Sequence, residues 1–115
     1  MRALLAIIFL LSAQPAFAGE FQDQHGQWFR SLDPDPSWFE KPLLWEPRVH
    51  YRTENEVFAL CEMATRKAAQ KGCAIPSGPF IEIYLIEELP ADFRENLLRH
   101  ELAHAHGWPA SHPEN

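Results

Sequence analysis

The string His100-Glu101-Leu102-Ala103-His104 constrains this chain more than any other feature. On a helix, residues four apart stack on one face. Two imidazoles placed that way can grip one cation, with Zn–N bonds of about 2.0–2.1 Å. Glu101 lies beside them, where a carboxylate can take a proton from water acidified by a metal. The pattern fixes only three residues, so a plain surface helix bearing His and Glu is the competing reading. Its surroundings favour the metal site: four of the six histidines fall between His100 and His112, and Gly107 follows three residues after His104.

The flanking residues predict a helix around that string. Pro90 or Asp92 opens it, and Phe93, Leu97, Leu98, Leu102 and Ala105 spread apolar surface around much of it. That distribution predicts a helix packed on more than one side, with the histidines off any idle solvent face. Gly107 can end the helix in the left-handed conformation, and Pro109 resists its resumption.

Upstream, Arg48 to Arg52 alternates apolar and polar residues and predicts a short, half-buried strand. Thr53 then reads as an N-cap with acidic Glu54 and Glu56 in the first turn. Val57, Leu60, Cys61 and Ala64 recur at helical spacing, predicting an amphipathic helix to about Ala69, stopped by Gly72. Ala74 to Gly78 reads as a turn region centred on Pro76 and Gly78. Phe80 to Ile86 reads as a second strand, with Ile81, Ile83 and Leu85 on one face.

Residues 1–18 read as an export leader rather than part of the fold. Arg2 precedes the unbroken apolar run Ala3 to Leu11, and Ala16-Phe17-Ala18 supplies the small-residue cleavage signature. The run falls short of the roughly 20 residues a membrane span requires. Cleavage after Ala18 would leave one periplasmic or secreted domain, without a membrane anchor. Residues 19–47 form an extended arm rich in proline and aromatics, with no clean helical or strand period. Its Trp28-Phe29, Trp38-Phe39 and Trp45 rings read either as a cover for the core of residues 48–115 or as a ligand platform, and the cover is favoured in so small a domain.

Cys61 and Cys73 are the only cysteines. In an exported chain they predict a disulfide, the rival being a pair of zinc ligands beside His100 and His104. The formal net charge of −6, made more negative by loss of Arg2, disfavours nucleic-acid binding because phosphate backbones would be repelled.

Two histidines do not complete a catalytic zinc site, which normally has three protein ligands and an open position. His106, if the helix continues, points about 200° from His104. Gly107 lets the chain leave the helix and fold back, which makes His112 the leading third ligand. His50, Glu54, His106 and a group from another molecule stay open as alternatives.

The segment Leu98 to Pro113, Leu-Arg-His-Glu-Leu-Ala-His-Ala-His-Gly-Trp-Pro-Ala-Ser-His-Pro, resembles the active-site region of zincin metallopeptidases. More narrowly, it is similar to short exported bacterial proteins ending in H-E-x-x-H-x-x-G-W-P-x-x-H. The resemblance covers about the last third of the chain. It implies that His100 and His104 bind zinc, that Glu101 is the general base, and that a strand beside the helix, Phe80 to Ile86, lines the substrate groove. Metzincins carry their third histidine where Ala110 stands here. For the oxyanion of a tetrahedral intermediate, Tyr84 or Tyr51 could supply an O–H donor.

The sequence thus predicts a single small α+β domain, minimal and zincin-like, with two main helices packed on a small sheet and an N-terminal aromatic arm. Its expected activity is that of an exported zinc-dependent peptidase or peptidase-like hydrolase acting on a peptide or protein substrate. The competing classes are a non-catalytic zinc-binding protein with a closed site and a metal-free interaction module.

Overall fold

A computed structural model describes residues 33–113 in full and residues 20–22 and 28–30 as backbone strands. The leader expected at residues 1–18 lies outside the described residues. Two three-residue strands, β1 (Glu20–Gln22) and β2 (Trp28–Arg30), pair antiparallel in the segment expected to be plain extended arm. Three residues are too few to display a period of two in the sequence.

Thr53 begins the main helical layer as expected. Its hydroxyl accepts from the Glu56 amide at 3.3 Å, and the Glu56 carboxylate accepts from the Thr53 amide at 3.2 Å, a reciprocal capping box. The helix α1 (Glu54–Thr65) ends four residues earlier than Ala69, where the sequence placed its end. Arg66 turns left-handed at φ 66°, and the Thr65 hydroxyl accepts from the Lys67 amide and the Gln70 side chain. The early stop lets the chain return within twelve residues, so that Cys73 bonds to Cys61 with Sγ atoms 2.08 Å apart. The disulfide is therefore present, and the alternative of two cysteine ligands is excluded.

The return segment is a strand, β4 (Gly72–Ser77), where a turn was expected. Pro76 suggested a break because it lacks an amide donor. It is tolerated because β4 is an edge strand in the order β3-β5-β4, where one side needs no donor. Gly72, expected to stop α1, instead allows close approach. A Cβ there would lie 2.8 Å from Leu85 Cδ2 and 3.0 Å from the Tyr84 carbonyl oxygen.

Of the other two strands, the central strand β5 (Phe80–Ile86) has the expected bounds, whereas β3 (Glu46–Arg52), parallel to it with His50 opposite Tyr84, starts two residues before Arg48 and is largely exposed rather than half-buried, Val49 and Tyr51 included. Ile81, Ile83 and Leu85 are all buried. The last helix, α2 (Ala91–Ala105), buries Phe93 and Leu97 together with His100 and Glu101. Along β4, Cys73 is bonded to Cys61 of α1, whereas the neighbouring Gly72 lies under Leu97 of α2. Because successive strand residues face opposite ways, the two helices approach the sheet from its two faces. The result is the small α+β domain expected, with two helices on a three-stranded sheet.

Residues 33–45 cross the C-terminal end of α2. Arg99 pairs with Asp33 and stacks over Phe39, Phe39 meets His106 edge-on, and the Leu44 amide donates to the Ala105 carbonyl. This part of the arm covers the helix end, and its Trp45 lines a cavity beside α2. Of the Trp28 and Phe29 side chains nothing is described. Among the described residues no helix is long and apolar enough to cross a membrane.

Candidate metal centre

The helical spacing of His100 and His104 sets their rings 5.2 Å apart, centroid to centroid. The chain then leaves α2 through a paired reversal. The Trp108 amide donates to the Ala103 carbonyl and the Gly107 amide to the His104 carbonyl, with Gly107 at φ 104°. This is the Schellman arrangement, which needs a left-handed residue just past the helix. A second turn follows, closed by the His112 amide donating to the Pro109 carbonyl. His112 itself is left-handed at φ 56°, a conformation uncommon outside Gly in which His, like Asn and Asp, is enriched.

These two turns carry His112 back over the helix. Its ring lies 4.8 Å from that of His100 and 5.1 Å from that of His104. The ligand atoms of His100, His104 and His112 all fall within 4.8 Å of one another, close enough to hold a metal ion. His104 Nε2 and His112 Nε2 are 3.2 Å apart. A tetrahedral ion with bonds of about 2.05 Å would place its nitrogens about 3.3 Å apart.

Trp108 organises the cluster. Its carbonyl accepts from His104 Nδ1 at 2.6 Å. Since a carbonyl only accepts, that nitrogen carries the proton and the lone pair of Nε2 faces His112. The Trp108 ring stacks on His104 at 5.1 Å and meets His100 edge-on at 5.0 Å. Its indole N–H donates to the Pro113 carbonyl at 3.0 Å, tying down the strand of chain that bears His112.

Burial sets the protonation of the site. It holds His104 below the ordinary imidazole value, against the opposing effect of the hydrogen bond that His104 donates to the Trp108 carbonyl. Burial likewise lowers His112, helped by the nearby charges of His104 and Lys67. Burial of both rings and the charges near His112 favour neutral, ligating imidazole. Glu101 is only 5 % exposed, and desolvation pushes its carboxyl up to about 8. A cation bound beside it would favour the carboxylate instead.

A cavity of about 680 Å³ opens beside the histidines, and Glu101 lines it with them. The strand that lines it is mainly β4 and not β5, the strand the sequence suggested: Ile81 alone comes from β5, whereas β4 contributes Gly72, Cys73, Ala74 and Pro76. The remaining alternatives for a third ligand are engaged elsewhere. His50 pairs with Glu82 at 2.7 Å and stacks on Tyr84, Glu54 pairs with Lys71 at 3.0 Å, and His106 Nδ1 meets the Lys41 carbonyl at 2.6 Å. Neither Tyr84 nor Tyr51 lines the cavity, so neither donates an O–H there. The backbone role of Trp108 was not legible in the sequence, since carbonyl direction depends on the turn and not on residue type. Compared with protein-family models, curated proteins and solved structures, the chain matches none; the functional reading rests on this geometry.

Proposed function

We propose that the protein is an exported zinc-dependent peptidase, or peptidase-like hydrolase, with His100, His104 and His112 as zinc ligands and Glu101 as general base. One observation carries this reading: a buried carboxyl lines the same cavity as the three clustered imidazoles. A site that served only to staple the fold would have no use for that carboxyl beside an open space. Three neutral nitrogen donors suit zinc. Among the described residues the group numbers three, which leaves a fourth position for substrate or water. The disulfide between Cys61 and Cys73 fits an oxidising compartment.

Zinc, when bound, would acidify water and polarise a substrate carbonyl. Glu101 accepts the water proton and returns it to the departing amine. His104 is held by the Trp108 carbonyl, so its ring need not reorient during the reaction. The outward edge of β4 presents backbone groups beside the cavity, where an extended peptide can add as a further strand.

The test compares Glu101→Gln with His104→Ala on a peptide library, with zinc measured in parallel. Glu101→Gln should keep the metal and lose hydrolysis; His104→Ala should lose both. Full activity in Glu101→Gln would remove the general-base assignment. A cobalt spectrum without an exchangeable position would instead favour a closed, non-catalytic site.

A further inference from the structure

Part of the cavity lining comes from the loop between α1 and β4. Thr65, Lys67, Ala69, Gln70 and Lys71 all line it. Two left-handed residues, Arg66 and Ala69, bracket Lys67, and the Gln70 amide holds the loop by donating to the Thr65 hydroxyl and the Lys67 carbonyl. The backbone around Lys67 is therefore shaped rather than loose.

The two lysines of this wall differ in their commitments. Lys71 is buried, paired with Glu54 at 3.0 Å, and lies over the Phe58 ring. Lys67 is exposed at the cavity, and among the described residues its ammonium makes no ion pair. Three neutral imidazoles leave the charge of a bound divalent ion compensated by Glu101 alone. With Lys67 in the same lining, the cavity would be a cationic pocket on a chain whose formal net charge is −6. A pocket of that sign attracts an anion.

We propose that Lys67 is the second pole of this cavity and binds a substrate carboxylate while the histidine end takes the scissile carbonyl. This rests on the hydrolytic reading above, and names its substrate class: peptides or amides bearing a carboxylate near the bond to be cut. The carboxylate is either the free C-terminus of the peptide or an acidic side chain.

The zinc-loaded protein is titrated calorimetrically with glutarate and with pentanoate, which share a chain length but differ by one carboxylate. Glutarate should bind about fivefold more tightly, the upper range for a partly exposed ion pair. Lys67→Met should erase that preference and Lys67→Arg should retain it. Equal affinities in the unaltered protein, or a preference that survives Lys67→Met, would overturn the proposal. Hydrolysis of peptides ending in a free acid or a carboxamide, and of peptides carrying Glu or Gln, identifies the carboxylate's source. Glutarate selectivity without any peptide hydrolysis would sink the peptidase reading and uphold the carboxylate pole. Hydrolysis indifferent to the charge in both peptide pairs would do the reverse.

Discussion

Trp108 grips His104 twice: its carbonyl accepts the Nδ1 proton at 2.6 Å, and its indole lies nearly parallel to the imidazole, at 18°. A single residue therefore fixes both the tautomer and the plane of one metal-site histidine. Through its indole N–H it also restrains the segment that carries His112.

Replacing Trp108 by Phe keeps an aromatic face and the backbone carbonyl but removes the bond to Pro113. Losing such supporting contacts typically costs tenfold to a hundredfold in metal affinity. Trp108→Phe should weaken zinc binding about tenfold, read by competition with a chromophoric chelator, with little change in far-UV circular dichroism.

Gly107 sits at φ 104°, and a Cβ added there would lie 3.2 Å from Leu44 Cδ1. A left-handed alanine costs about 1–2 kcal/mol. Gly107→Ala should lower the urea midpoint accordingly. It should also weaken zinc binding, because the turn that returns His112 to the helix would open.

The disulfide joins α1 to the cavity wall at Cys73. Reduction should cost about 3 kcal/mol on the chain-entropy view. Urea unfolding with and without a phosphine reductant measures it, and an unchanged midpoint would contradict that role.

The pH dependence of the metal-free protein follows from Glu101. Its carboxyl is raised to about 8 from an ordinary value of 4.5, so the folded state holds a proton that the unfolded state releases. Stability from this group is full below 4.5 and is lost as the pH rises through about 8. His104 and His112, lowered in the fold, act oppositely and only below the ordinary imidazole range. Between about pH 6.5 and 8 the metal-free protein should therefore lose stability, at up to about 1.4 kcal/mol per pH unit. Glu101→Gln should flatten that slope in thermal melts.

Much of this was legible in residue order because local rules and tertiary packing agreed. The alternation of Phe80 to Ile86 gave the central strand, Thr53 and Glu56 gave the helix start, and the spacing of Gly107 and His112 gave the returning loop. The misreadings fall where tertiary geometry overrode a local signal. Pro76 looked like a break but lies on an edge where no donor is needed, and Gly72 looked like a helix stop but serves the close approach of two strands. The end of α1 at Thr65 answers to the short return that the Cys61–Cys73 bond demands, which helical periodicity alone does not show. Lys67 falls inside the helix expected to run to about Ala69, and it lines the cavity because that helix stops at Thr65.

The most direct measurement is the metal content of natively purified protein by elemental analysis, alongside a zinc titration of His112→Ala. The account predicts one zinc per chain in the unaltered protein, and at least hundredfold weaker binding in the variant with its circular dichroism preserved. A folded protein that carries no metal and takes up none, or a His112→Ala variant that binds zinc as tightly as the parent, would contradict it.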